Sequence, residues 1–235
     1  IGDASKMDGA ALIVEPSKDC TDVGTDQALP VTLKALPDCY LISVLSTIQA
    51  EMVGDGDDQS TADQAIMTGL GLSGKSIDLC TLNPIESVWN KDQDLEEALA
   101  MQKATVEIVA VTAVITGVIA DDKSPSKKQA AGEAIIAQIA TQQLQSQKAE
   151  NAGEFFDDVD ATKSLVQKAA GAANTAISDK VLQTCTDVAE EVADFVGDQM
   201  DDIDTADETE AIRAINELGR FGSFLTEEVT EDCQS

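Results

Sequence analysis

The side chains able to do chemistry here are sulfurs and carboxylates. Cys20, Cys39, Cys80, Cys185 and Cys233 are scattered through 235 residues, and no histidine accompanies them. None stands in a C-x-x-C pair, so zinc-ligand and thioredoxin-like spacings are absent. Without imidazole, Ser-His-Asp and Cys-His nucleophiles and His-ligated zinc drop out together. Wide scatter with no metal motif points to disulfides in an oxidising compartment. The competing reading is five reduced, buried thiols. An odd count leaves one sulfur unpaired or bonded to another chain, and the connectivity stays open.

The carboxylates invite calcium, which takes six to eight hard oxygens in flexible loops. Asp55, Asp57 and Asp58 form one candidate group, and Asp198, Asp201, Asp202 and Asp204 a second, both in expected loops. Neither follows the EF-hand pattern, since Ser60 stands where Gly belongs and Ile66 where Glu belongs. The competing reading is a solvated acidic loop. A glycosidase pair could be drawn from 44 acids, but nothing marks one pair, and Trp89 and Tyr40 are the only large amphipathic rings. Gly69 to Ser76 spells the letters of a phosphate loop. Such a loop follows a buried strand and opens a helix. Here a helix is expected before it, so the stretch reads as a helix-terminating loop.

These groups sit in a strongly acidic chain. Lys+Arg number 15 and Asp+Glu 44, a net charge of −29. Phosphates would be repelled, which argues against nucleic acid and anionic membranes as partners. Self-repulsion of this size opposes compaction unless counter-ions screen it. A calcium-containing extracellular medium supplies them, and with arginine confined to Arg213 and Arg220 the intracellular halophile reading is weaker. Ile1 in place of an initiator Met, with no basic-then-apolar leader, reads as a mature or excised chain.

The elements that must position the chemistry are helical. Residues 1–38 hold three of the five prolines and short apolar runs, Ala11–Val14 and Val31–Leu33, expected as a small extended or β-like segment. Residues 39–235 are expected to form one helical bundle, with a sub-boundary near 121–126. Leu45, Ile48 and Met52 share a helix face that Gly54 and Gly56 end; Ser60 to Asp63 open the next helix. Asn83 caps a short helix with Pro84 at its first position. A long helix starts at Asp94 and runs to about Ala120. Its apolar stretch, Ile108–Ala120, is thirteen residues, too short to span a bilayer, and reads as a central core helix. Further helices are expected over 126–148, over 161–176 behind Asp160, behind Ser178, and through Ala211–Leu225. Phe155, Phe156, Phe221 and Phe224 read as packing residues rather than partner anchors. The fold class is therefore all-α, a bundle of about seven helices. Aromatics are only 3% of residues, so its core must be aliphatic and Ala-rich.

Ile42-Ser-Val-Leu-Ser-Thr-Ile48, Gly69-Leu-Gly-Leu72, Ile77-Asp-Leu-Cys-Thr-Leu-Asn-Pro-Ile85 and Leu99-Ala-Met-Gln102 resemble the landmarks of a helical module in large secreted bacterial adhesins with cadherin-like or Ig-like repeats. Met7-Asp-Gly-Ala-Ala-Leu-Ile-Val14 is similar to the start of the small β-domain that often precedes it. The resemblance implies a secreted or surface-displayed structural module that carries no catalytic residues. The expectation is thus a non-enzymatic extracellular structural protein, part of a surface adhesin, filament or matrix. It would self-associate or bind other surface or matrix proteins, with no nucleic acid, no membrane insertion and no cofactor except calcium. The alternative is a secreted carrier of a small hydrophobic ligand between Ala-rich helices.

Overall fold

Twenty-five residues, Leu95–Ile119, form the longest helix. In order along the chain, the elements are strands β1 (Leu12–Val14) and β2 (Leu33–Ala35), then helices α1 (Val44–Gly54), α2 (Gln59–Gly69), α3 (Leu95–Ile119), α4 (Pro125–Gln138), α5 (Val159–Ala172) and α6 (Asp179–Asp201). The computed structural model describes residues 12–14, 31–54, 57–69, 72, 77–83, 95–119, 124–140, 159–201 and 213. The protein is an all-α bundle with a small N-terminal β element, six helices lying among the described residues. The short helix expected from Pro84 and the one over Ala211–Leu225 fall outside them, apart from Asn83, the expected cap of the first, and helical Arg213 of the second.

The bundle is organised around α3, which packs against α1, α4, α5 and α6. Met101, Ile108, Val111, Val114 and Ile115 are wholly sequestered along it. By length and composition α3 could cross a bilayer, so the thirteen-residue argument against spanning does not hold for the helix as built. Burial decides its role: 72% of its apolar window lies inside the molecule. The threonines in this apolar helix hide their hydroxyls by donating back one turn, Thr116 Oγ1 to the Thr112 carbonyl (2.8 Å) and Thr105 Oγ1 to the Met101 carbonyl (2.9 Å). Thr112 Oγ1 is buried and finds no acceptor or donor. Thr112→Val keeps the shape and removes the orphaned hydroxyl, so it should raise stability by about 1 kcal/mol in urea titration.

Small residues let the other helices close on α3. Ala104, Ala131, Ala169, Ala170, Ala173 and Ala189 are all 4% exposed or less, and they join Ile135, Ile139, Leu165 and Val166 in one core. Facing alanines permit close backbone approach, which offsets the shortage of aromatic volume. One polar pair crosses this region, Gln138 Nε2 donating to Ser164 Oγ at 3.1 Å between α4 and α5.

Helix ends follow local chemistry. Ser43 and Ser46 cap α1 reciprocally: Ser46 N–H donates to Ser43 Oγ (3.1 Å) and Ser43 N–H to Ser46 Oγ (2.8 Å). Pro125 sits at the start of α4 behind Ser124. Ser178 accepts the Val181 N–H at 3.2 Å and caps α6 as expected. Asp160, expected as a cap, lies inside the first turn of α5, where the helix dipole favours its charge. Two residues past the end of α5, Asn174 takes φ 50°, and Thr175 N–H reaches back to the Ala170 carbonyl (2.9 Å). Asn tolerates that left-handed geometry and a β-branched residue does not. Asn174→Val should therefore cost about 1–2 kcal/mol of unfolding free energy, while Asn174→Gly should stay at the wild-type level or above it.

The N-terminal segment forms an antiparallel pair with Leu12 opposite Ala35 and Val14 opposite Leu33. The other side of β2 is satisfied by α1. Lys34 N–H donates to Thr47 Oγ1 (2.9 Å), and the Lys34 carbonyl accepts from Ser46 Oγ (3.0 Å) and Thr47 Oγ1 (3.2 Å). The Lys34 ammonium pairs with Glu51 on the same helix. Thr32 reaches α4, donating to Glu133 Oε1 at 2.6 Å and accepting from Gln129 Nε2 at 3.0 Å. Hydroxyl side chains thus do for β2 what a third strand would do for its backbone.

Candidate functional site

The feature with chemistry lies where β2 leaves the sheet. After Ala35 the chain turns, Cys39 N–H bonding the Leu36 carbonyl at 3.0 Å. A second turn, over 78–82, is built by Asp78. Its side-chain Oδ1 accepts the Cys80 N–H (2.9 Å) and its carbonyl accepts the Leu82 N–H (2.9 Å). The two turns are laced together, since Tyr40 N–H (2.9 Å) and Leu41 N–H (3.0 Å) both donate to the Cys80 carbonyl. This brings Cys39 and Cys80, 41 positions apart, into a disulfide. The two sulfurs and Ala35 form a small buried cluster with Leu36 and Ile42 against it, while neighbouring Tyr40 is 88% exposed.

Gln49 of α1 is the polar partner of the bridge. It is 1% exposed, and its Oε1 lies 3.4 Å from Cys80 Sγ and 3.7 Å from Cys39 Sγ. Its Nε2 donates to Asp63 Oδ1 on α2. Burial pushes the half-buried Asp63 carboxyl above the ordinary range; the Gln49 hydrogen bond opposes this, and the nearby Asp78 charge adds to it. A carboxyl raised in the folded state supports the fold while protonated and weakens it once ionised. Stability from Asp63 is therefore full below the ordinary carboxyl pKa and lost as pH rises through its raised value. Asp63→Asn should accordingly raise the melting temperature at neutral pH, and the difference should fade on acidification.

Of the five cysteines, Cys39 and Cys80 are bridged. Cys185 is a buried thiol of α6, not part of a bridge, as an odd count permits. Cys20 and Cys233 lie outside the described residues. The acidic candidates fare differently. Asp58 is the cap of α2: its Oδ1 accepts the Thr61 N–H (3.0 Å) and its Oδ2 the Thr61 hydroxyl (2.8 Å), which hold the carboxyl below its usual pKa. The helix therefore opens at Gln59, one residue before the expected Ser60. Asp57 lies beside it, its N–H bonding the Met52 carbonyl at 3.2 Å, and Asp55 lies outside the described residues.

The second acidic group is corrected. Asp198 and Asp201 are not in a loop, because α6 runs to Asp201. In the sequence the apolar spacing Val192, Val196, Met200 runs on through Asp198, and no Pro or Gly follows Gly197 to stop the helix before Asp201. Asp202 and Asp204 lie outside the described residues. Among the described residues no group of three Asp, Glu, Cys or His is placed to hold a metal ion.

The phosphate-loop letters begin at a helix end, and residues 70, 71 and 73–76 lie outside the described residues. Gly69 closes α2, and Leu72 N–H returns to the Met67 carbonyl at 2.7 Å with Leu72 buried. Phe155, Phe156, Phe221 and Phe224 lie outside the described residues. The Gln49–Asp63 pair beside the bridge carries no sequence signal of its own. Gln49 stands on a helix face with no motif around it, and only the fold brings it to the sulfurs.

Set against protein-family models, curated proteins and solved structures, the chain finds no match.

Proposed function

We propose that the chain is a non-enzymatic structural protein of the cell exterior, a module or subunit of a surface adhesin, filament or matrix. The Cys39–Cys80 bridge carries this reading, because disulfides persist in oxidising compartments. A net charge of −29 and the lack of histidine accompany it. Such a chain keeps soluble and needs counter-ions to stay compact. Calcium enters here as a screening ion of the extracellular medium rather than as a ligand of one fixed cage. The resemblance of residues 42–48 and 69–85 to adhesin helical modules points the same way. The partners would be further copies of the chain or other surface and matrix proteins, with no nucleic acid and no insertion into a membrane.

Native mass spectrometry and light scattering across sodium chloride and millimolar calcium test this. The reading expects ordered higher assemblies, or specific capture by matrix proteins. A monodisperse monomer at high concentration in calcium, insensitive to reductant, would count against it. A co-purifying small apolar molecule would instead favour a carrier.

A further inference from the structure

Gln49 Oε1 is a buried amide oxygen whose neighbours at hydrogen-bond range are the two sulfurs. Neither sulfur of a disulfide bears a hydrogen, so in the bridged state no described residue donates to this oxygen. A buried acceptor left without a donor costs free energy. The amide cannot simply turn over, because Asp63 on α2 takes the Nε2 donor on its other side. On reduction each cysteine gains an S–H, a weak donor already at sulfur hydrogen-bond distance from the oxygen. The geometry points to Cys39–Cys80 as a reversible dithiol–disulfide couple whose reduced form is held by Gln49, with Asp63 as the residue that positions the amide.

The exchange balances with a dithiol reductant. A reductant thiolate attacks one sulfur, the Cys39–Cys80 bond breaks, and a mixed disulfide forms. The second reductant thiol displaces the remaining sulfur, leaving the reductant as a disulfide. Two electrons and two protons end on Cys39 and Cys80. The sulfurs are 2% and 6% exposed as residues, so exchange proceeds through opening of the two surface turns beside Tyr40. Reduction removes the covalent link between the turn after β2 and the 78–82 turn, which the Tyr40 and Leu41 hydrogen bonds to the Cys80 carbonyl still join, while β2 stays fixed to α1 through Lys34, Ser46 and Thr47. This inference stands apart from the extracellular reading, since it concerns the equilibrium of the bridge and not its location.

The test equilibrates the full-length chain with mixtures of oxidised and reduced dithiothreitol, then alkylates it and counts Cys39 and Cys80 thiols by peptide mass spectrometry. Gln49→Met removes the acceptor and should lower the reduced-to-oxidised ratio about tenfold, which is ~30 mV for a two-electron couple. Asp63→Asn frees the amide to turn and should lower the ratio in the same direction by about threefold. It carries the test if Gln49→Met does not fold. Ratios within twofold of wild type, or raised, in a folded variant overturn the proposal, because a merely structural Gln49 would alter melting temperature without moving the redox equilibrium.

Discussion

Replacing Cys39 and Cys80 together by alanine should lower the free energy of unfolding by about 4 kcal/mol in a urea titration. The bridge closes a loop over 41 positions of chain. Opening it releases the loop-closure entropy of the unfolded ensemble, and the chain-entropy relation at that length gives this magnitude. The folded state should change little, because backbone hydrogen bonds from Tyr40 and Leu41 to the Cys80 carbonyl also join the two turns. The double variant should therefore retain its helical circular dichroism at low temperature and lose it earlier on heating. A loss under about 1 kcal/mol would mean the two turns are held by those backbone bonds alone.

Ile115→Ala should be comparably severe, at about 2–5 kcal/mol. Ile115 is 0% exposed on α3, the helix that four others cover. The loss combines the transfer free energy of the removed methyl and methylene groups with a cavity that rigid helices fill poorly. Chemical denaturation measures this directly. If α3 instead lay on the outside against lipid, the truncation would be nearly silent in aqueous buffer, so the same measurement also tests the role of that helix.

The helical reading was legible where apolar spacing was strong. Ile48 and Met52 mark their helix by period, Ile108 and Ile115 theirs by an apolar run, and all four are buried. Gly54 and Ser178 delimit helices because glycine and serine have specific preferences at helix ends, and the structure uses them so. The end of α6 differs from the loop expected at Asp198. Clustered aspartates look like a loop when solvent exposure is the only cue, yet the helix runs through them to Asp201. Asp58 was legible as an acidic loop residue, but its work as a helix cap depends on Thr61, three positions on.

The site around the bridge was half legible. Cysteine count and the missing histidine argued for sulfur–sulfur bonds, but five cysteines leave many pairings. Pairing is set by distance in the fold, which spacing along the chain does not encode. Gln49 was invisible for the same reason: a glutamine on a helix has no signature until a second helix and two turns close around it.

Composition and periodicity by themselves determined that this chain is acidic, helical, aliphatic-cored and without imidazole chemistry, because those are properties of residue types and their local repeat. Which sulfurs join and which amide faces the bridge were decided only by the tertiary structure. Each depends on contacts between residues distant in sequence, and the packing of α1, α2 and the two turns brings those residues together.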